Sequence, residues 1–379
     1  MTIDGKTLIN AFEAWAPPRL AEKWDKVGLQ IGTLNKDIQK MIVTLDVTEE
    51  VVDEAIAQGA DLIFAHHPLI FRPLDNILTD SGSGKIIEKC LKNDLAVYVA
   101  HTNLDVAQGG MNDWLASAIG LQNTAVLVPA QSDSLVKLAV FVPVTHAVQV
   151  RAALGDAGAG AIGQYSHCTF NTSGKGTFLP GEGTTPYIGE TGKLEVVDEI
   201  KIETIVREAD LSRVVKKMLD SHPYEEVAYD LYPLKNKEDK IGLGRVGQLS
   251  APMTLAQLAQ HVIKVFGLPG VNAVGDLNAK VQTVAVIGGS GNDFIPEAID
   301  RGADVLVTGD TKYHNAHDAK AAGLMVIDAG HHIEKIMIQG VAAFFRDFLN
   351  TNGYTGTTVM ESTTNTNPFH LVIPHEVNQ

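Results

Sequence analysis

Ala55-Ile56-Ala57-Gln58-Gly59-Ala60-Asp61 and Ala298-Ile299-Asp300-Arg301-Gly302-Ala303-Asp304 repeat one helix exit near the two ends of the chain. Each run ends a helix at a glycine turn and leads into an apolar strand, Leu62-Ile63-Phe64-Ala65 in the first copy and Val305-Leu306-Val307-Thr308 in the second. Strands also precede the helices, at Met41 to Leu45 and Val284 to Ile287. The first helix spans about Thr48 to Gln58; the second follows a Gly288-Gly289-Ser290-Gly291 turn and runs through Pro296 to Ile299. A third strand continues the match, Leu95 to Ala100 against Leu324 to Ala329, and in that register Asp105 falls opposite Glu334. The shared exit motif favours a true repeat over a chance likeness of apolar strands. The fold class is therefore α/β: a pseudo-symmetric outer domain of two repeated βαβ-type halves, whose parallel strands gather the functional loops at their carboxyl ends.

Between the halves the texture changes. Residues 134–236 read as strand, helix, a Gly- and Thr-rich hairpin region, strand, helix and strand, the β-α-β-β-α-β plan of a ferredoxin-like α+β domain. The expected organisation is a first half at 1–133, an insert at 134–236 and a second half at 237–379. A length of 379 residues accommodates this. Thirty Lys and Arg against 45 Asp and Glu give a net charge of −15, which repels nucleic acid. Two cysteines, Cys90 and Cys168, suit a reducing compartment and exclude a disulfide framework. Neither a signal segment nor a membrane span is legible, so the expected location is cytoplasmic.

Chemistry-bearing residues concentrate just after the predicted strands. Ala65-His66-His67-Pro68 places two imidazoles at a strand end, where Pro68 keeps the backbone extended and adjacent side chains point apart. His101-Thr102-Asn103-Leu104-Asp105 follows the next strand, and Gly330-His331-His332-Ile333-Glu334 follows the repeat-related one. His331 and Glu334, three residues apart, share a helix face if the helix starts at Gly330. All three clusters are expected beyond strands of one sheet, so His66, His67, Asp105, His331 and Glu334 converge on one crevice. Five imidazole and carboxylate donors exceed one tetrahedral site and point to two divalent ions about 3.5–4 Å apart, a dinuclear hydrolytic centre. Without thiolates, zinc, manganese, iron and nickel all remain open.

Weaker candidates surround this set. His101 reads equally as a proton carrier or as a strand-end histidine bonded to backbone. Thr308-Gly309-Asp310-Thr311-Lys312-Tyr313-His314 offers Asp310 and His314 as orienting, proton-carrying or substrate groups and Lys312 as a charge partner, against a plain polar loop. Gly288 and Gly289 would suit a phosphate cradle, although a plain turn is the stronger reading. His222-Pro223-Tyr224-Glu225-Glu226 reads as a capped turn with a solvated acidic face.

At these residues the chain resembles the NGG-interacting-factor-like dinuclear metal-centre family, whose members are commonly called type-2 GTP cyclohydrolase I homologues. The matching segments are Trp24 to Gly32, Ala65 to Pro68, Ala100 to Asn112, Thr308 to Asp310, and Gly330-His331 with Glu334. The resemblance implies metal binding by His66, His67, Asp105, His331 and Glu334, with His331 preferred to His332 because it directly follows the glycine. It also implies that the insert is CutA- or PII-like, and that chains assemble as a toroidal homohexamer. The implied activity is hydrolysis of GTP with ring opening and formate release. A two-metal phosphoesterase and a non-catalytic metal-binding or regulatory protein are the alternatives. In each case the insert, which carries none of the five ligands, is expected to gate access rather than supply chemistry.

Overall fold

Thr48 opens the helix Glu49–Gln58 by accepting the Val51 amide, and Gly59 closes it at φ 67°, a left-handed conformation that costs glycine little. The aspartate ending each of the two runs does the same work in both places. Asp61 Oδ2 accepts the amides of Gln39 and Lys40 at 2.7 and 3.0 Å, and Asp304 Oδ2 those of Gln282 and Thr283, both at 2.8 Å. Each carboxylate thus ties the helix exit to the start of the neighbouring strand.

The computed structural model describes residues 1–80, 82–130, 134–163, 165–236 and 241–372. Two units divide it, one of Met1–Ala130 with Asp239–Gln379 and the other Gln131–Glu238. Of the residues flanking the expected domain boundaries, 133 and 237 lie outside the described residues.

The first unit is mixed α/β with several sheets. In one, Lys40–Thr44, Leu62–Ala65 and Ala96–Val99 run parallel in register, flanked by Thr358–Glu361 and by antiparallel Gly28–Ile31. In another, Lys280–Ser290, Val305–Gly309 and Met325–Asp328 are the parallel core, flanked by antiparallel Gly242–Thr254 with Gln122–Pro129 and by Asn272–Val274. The expectation of one sheet beneath all three clusters is corrected here: His66, His67, His101 and Asp105 follow strands of the five-stranded sheet, whereas His331 and Glu334 follow a strand of the six-stranded one. The physical reason lies at the edges. Antiparallel strands occupy the free sides of Ala96–Val99 and Lys280–Ser290, so the two parallel triplets cannot pair with each other.

What joins the sheets is side-chain burial. Met41, Val43, Leu62, Phe64 and Tyr98 from one sheet and Val284, Val286, Val305, Val307 and Ile327 from the other belong to a single buried cluster. Helices Gly5–Trp15, Met111–Ile119, Leu255–Phe266 and Ile336–Thr351 contribute to it. Alternate strand residues point the other way: Ile42, Ile63 and Val97 form a second cluster with Val51, Val52 and Ile87, and Ala285, Leu306 and Val326 a third with Ala298 and Ala319. Strands buried on both faces read as continuous apolar runs, which is why these stand out in the sequence.

The second unit has a four-stranded antiparallel sheet in the order Tyr229–Pro233, Leu135–Pro143, Glu195–Arg207, Thr169–Phe178. Helices Ala147–Asp156 and Leu211–Ser221 pack their apolar side on Leu138, Val140, Val142, Ile202 and Val206. The element order is β-α-β-β-α-β. Among the described residues no helix is long and apolar enough to cross a membrane.

Candidate metal centre

Every candidate ligand sits one or a few residues past a buried parallel strand. His66 and His67 follow Leu62–Ala65; His101 caps the short helix Thr102–Val106, which carries Asp105; and Gly330, at φ 76°, turns the chain into the 3-10 helix His331–Lys335. The sequence-predicted set of His66, His67, Asp105, His331 and Glu334 therefore meets at one place. Three overlapping groups have ligand atoms all within 4.8 Å of one another: His66, His67 and His101; His67, His331 and Glu334; and His66, Asp105 and Glu334. His332 is in none of these groups.

Each imidazole is held at Nδ1, which aims Nε2 inward. His66 Nδ1 donates to the Ala100 carbonyl at 2.8 Å, His67 Nδ1 meets Asp46 Oδ1 at 2.7 Å, His101 Nδ1 meets Asp25 Oδ2 at 3.0 Å, and His331 Nδ1 meets Asp310 Oδ2 at 2.7 Å. Such partners fix the ring's tautomer and raise its basicity toward a cation at the other nitrogen. Glu334 is the hub: its Oε2 lies 3.0 Å from His67 Nε2, 3.1 Å from His331 Nε2 and 3.9 Å from His66 Nε2.

The His66 side tests whether the donors suit a cation. With Nδ1 donating to backbone, Nε2 carries a lone pair, and it is fully buried 3.6 Å from Asp105 Oδ1. Neither Nε2 nor that Oδ1 has a hydrogen-bond partner. Buried acceptors facing acceptors are costly unless a cation lies among them, so these donors fit a metal ion.

Electrostatics agree. Burial drives His66 down to about 3 and keeps it neutral. Burial, joined by the Glu334 charge, pushes Asp105 well above the usual carboxylate range; against burial, the hydrogen bonds of His331 and His67 hold Glu334 below it. Burial also opposes charge on His67, but Asp46 and Glu334 outweigh it and raise the imidazole to about 10, while Glu334 is the main cause that lifts His331 to about 9. His67 and His331 thus each hold a proton at pH 7 where a cation would sit. The stability these two protons contribute is complete below about 6.5, the ordinary value, and is lost as pH rises towards 9 to 10. Divalent-ion uptake at pH 7 is expected to release them, and affinity to fall as pH is lowered. Calorimetric titration in buffers of differing ionisation heat reads the released protons, and zero release would contradict this.

Three further residues matter to this geometry: Asp25 and Asn112, which lie in the matching segments Trp24 to Gly32 and Ala100 to Asn112 without a role legible there, and Asp46, which lies in none. Asp25, held to about 2 because His101 and Thr102 outweigh its burial, fixes His101 and accepts both the amide and hydroxyl of Thr102. Asp46 follows the strand Lys40–Thr44 as the histidines follow theirs, and position beyond a strand is the one available clue. Buried Asn112 donates to the Asp105 carbonyl at 2.9 Å and accepts the Gly288 amide at 3.0 Å, linking the Asp105 helix to the second sheet.

The weaker candidates separate. Asp310, at φ 54°, holds His331. Gly288 and Gly289 lie inside the strand Lys280–Ser290 rather than in a turn, and a Cβ there would stand 2.8 and 3.0 Å from Glu334 Oε1. Their smallness makes room for that carboxylate. Lys312 and His314 are exposed at the start of the helix Tyr313–Ala321 and do not line the cavity around the ligand groups, because the chain leaves the site at Asp310.

The profile of the Duf34/NIF3 (NGG1p interacting factor 3) family matches residues 3–368, nearly the whole chain. The chain belongs to the Duf34/NIF3 family. Two curated relatives are each named GTP cyclohydrolase 1 type 2 homolog. One, from Halalkalibacterium halodurans, is 54% identical over 97% of this chain and 99% of its own, and one from Bacillus subtilis is 52% identical over 97% and 98%. Among solved structures, a Bacillus cereus protein related to NIF3 is 52% identical with a TM-score of 0.89, covering 98% of this chain and 100% of its own. A Staphylococcus aureus protein is 32% identical with a TM-score of 0.82, covering 98% and 99%. This Duf34/NIF3 chain therefore shares its mixed α/β architecture with solved relatives at full length.

Proposed function

We propose that this chain is a hydrolase dependent on two divalent ions. One ion would be held by His66, Asp105 and Glu334 and the other by His67, His331 and Glu334. The observation that carries this is the pair of buried, partnerless acceptors, His66 Nε2 and Asp105 Oδ1, beside a carboxylate that belongs to two donor groups. When bound, such ions polarise an electrophile and activate water near neutral pH. The chain's own residues orient and move protons: Asp25 holds His101 with Nε2 toward the site as a proton carrier, and Asp46 and Asp310 keep His67 and His331 facing inward. Trp24, edge-on to the His101 ring at 6.0 Å and beside Phe71 at 5.8 Å, offers a flat face to a planar substrate at the cavity wall.

The relatives' name and the sequence resemblance make GTP the first substrate to test. Water would add at C8, opening the imidazole ring, and a second hydrolysis would release that carbon as formate. Incubation of metal-loaded protein with GTP and, separately, with a phosphodiester, following formate, ring-opened product and phosphate, decides the class. Formate release abolished by Asp105→Ala is the expected result, with a loss of about 10²-fold or more. Phosphate or nucleotide products alone would replace the cyclohydrolase reading with a phosphoesterase.

One observation favours the second reading, a metal-binding or regulatory protein. Among the described residues lining the cavity there is no lysine or arginine to meet a triphosphate. Absence of turnover with each of zinc, manganese, iron and nickel would establish that reading over catalysis. We also read the two parallel triplets as a structural repeat, and Gln131–Glu238 as an insert of CutA or PII type. The matching Asp61 and Asp304 contacts and the β-α-β-β-α-β order support these assignments. Assembly as a homohexamer belongs to the same proposal, and light scattering on purified protein tests it.

A further inference from the structure

The Gln131–Glu238 unit contains a cavity of its own, of about 630 Å³, all of whose lining residues lie between Phe141 and Ala228. Its volume is that of a small-molecule site. The sheet explains how it arises. Along Glu195–Arg207, Ile200, Ile202 and Val206 pack with the helices, whereas Glu199 and Lys201 alternate to the opposite face and line the cavity. Across from Glu199 on the next strand stands Gly174, where an added Cβ would meet nothing within 4 Å, and diagonal to it Gly176, where a Cβ would collide with Glu199 Oε2 at 2.1 Å. Glycine inside a strand marks close approach by something else, and here two of them leave the floor bare around a carboxylate.

Glu199 is 8% exposed, unusual for an unpaired acid. Its Oε1 accepts the Tyr224 hydroxyl at 3.0 Å, and its Oε2 has no hydrogen-bond donor among the described residues. Tyr224 is itself fixed from below: buried His222 donates from Nε2 to the Phe141 carbonyl at 3.0 Å and accepts the Tyr224 amide at Nδ1 at 3.1 Å. The His-Pro-Tyr-Glu-Glu turn is therefore built to present a ring and a carboxylate together. Phe178 stands edge-on to Tyr224 at 5.9 Å, and Tyr187 lies 6.4 Å from it. Charge completes the picture. The two lysines in the lining are already engaged, Lys175 with Asp198 at 2.9 Å and Lys201 with Glu203 at 3.3 Å, which leaves Glu199, Glu225 and Glu226 as the uncompensated charges.

We propose that this cavity binds a planar organic cation of amidinium or guanidinium type, stacked against Tyr187, Tyr224 and Phe178 with its N–H donors on Glu199. Aromatic faces attract such a cation, and a desolvated carboxylate accepts its parallel donors. A neutral or anionic ligand would leave the Glu199 carboxylate with the Tyr224 hydroxyl but no countercharge.

Calorimetric titration of the full-length protein with benzamidinium, and with its neutral isostere benzamide, tests this. One benzamidinium per chain is expected, at millimolar dissociation constant or tighter, with benzamide at least about tenfold weaker. Glu199→Gln, which keeps an acceptor for Tyr224, and Tyr187→Ala, at a half-exposed position that tolerates truncation, should each weaken binding about tenfold or more. Glu334→Ala, in the other unit, should leave it unchanged. Equal binding of benzamide, no effect of Glu199→Gln in a variant of native circular dichroism, or absence of benzamidinium binding would each overturn the assignment.

Discussion

Purified protein carrying His66→Ala together with Glu334→Ala is expected to hold less than about one tenth of the divalent ion held by the unchanged chain, for which we expect about two per chain. The pair is chosen because each of the three donor groups loses a member: His66 is in two of them, Glu334 in two, and none survives without both. What is left, His67, His101, Asp105 and His331, offers no remaining group of three within reach of one ion. Single changes should grade the effect. Asp105→Asn touches one group only and should leave about one ion, while Asp310→Asn, which frees the His331 ring without removing a ligand, should weaken binding about 10–100-fold. Elemental analysis after dialysis reads all of these. Full occupancy in the folded double variant would refute the ligand assignment, and an unchanged affinity in Asp310→Asn would show that His331 is not held through its Nδ1.

That the amino-acid sequence singles out His66, His67, Asp105, His331 and Glu334 follows from two local facts: each lies just past a continuous apolar run, and strand ends in α/β folds gather at one edge. Their partners are less legible: Asp310 is offered by its place just past the repeat-related strand, but Asp25 and Asp46 reach their imidazoles from far along the chain, and an aspartate in a loop looks like any other. His101 stays undecided in the sequence for the same reason: its Nδ1 partner is 76 residues away. Apolar periodicity identifies the parallel triplets but not their pairing, since it records that a strand is buried and not which edge an antiparallel neighbour such as Gly28–Ile31 or Gly242–Thr254 has taken. Linear proximity to Asp310 does not tell where Lys312 and His314 point; they are exposed at the helix start and do not line the cavity around the ligand groups. The glycines of Gly288 to Gly291 suggest a turn, and two of them serve instead to admit the Glu334 carboxylate beside a strand.

Phe12→Ala is expected to cost about 3–5 kcal/mol, the range for removing a buried aromatic ring. The ring is fully buried on the helix Gly5–Trp15, whose start Asp4 caps through the Thr7 amide. It meets Phe64 at 4.8 Å, Trp15 at 5.6 Å, Phe345 at 5.9 Å, Phe344 at 6.0 Å and Tyr98 at 6.4 Å. Five rings cannot all move inward to refill the space, so a cavity should persist. The cluster that contains Phe12 is the one to which both sheets contribute, so the loss should appear in the cooperative unfolding of the whole first unit rather than as fraying of one helix. Urea denaturation monitored by tryptophan fluorescence reports this, since Trp15, Trp24 and Trp114 all lie in that unit. The deficit should be equal in metal-loaded and chelator-stripped protein. Bound ions add the same linkage term to both sequences if the site is unaffected, although Phe64, on the strand that ends next to His66, touches the missing ring. A deficit under about 1 kcal/mol would mean that the rings repack and that the shared core is less rigid than its burial indicates. A deficit that grows when metal is bound would instead mean that the strand Leu62–Ala65 passes the loosened packing on to the His66 end of the metal centre.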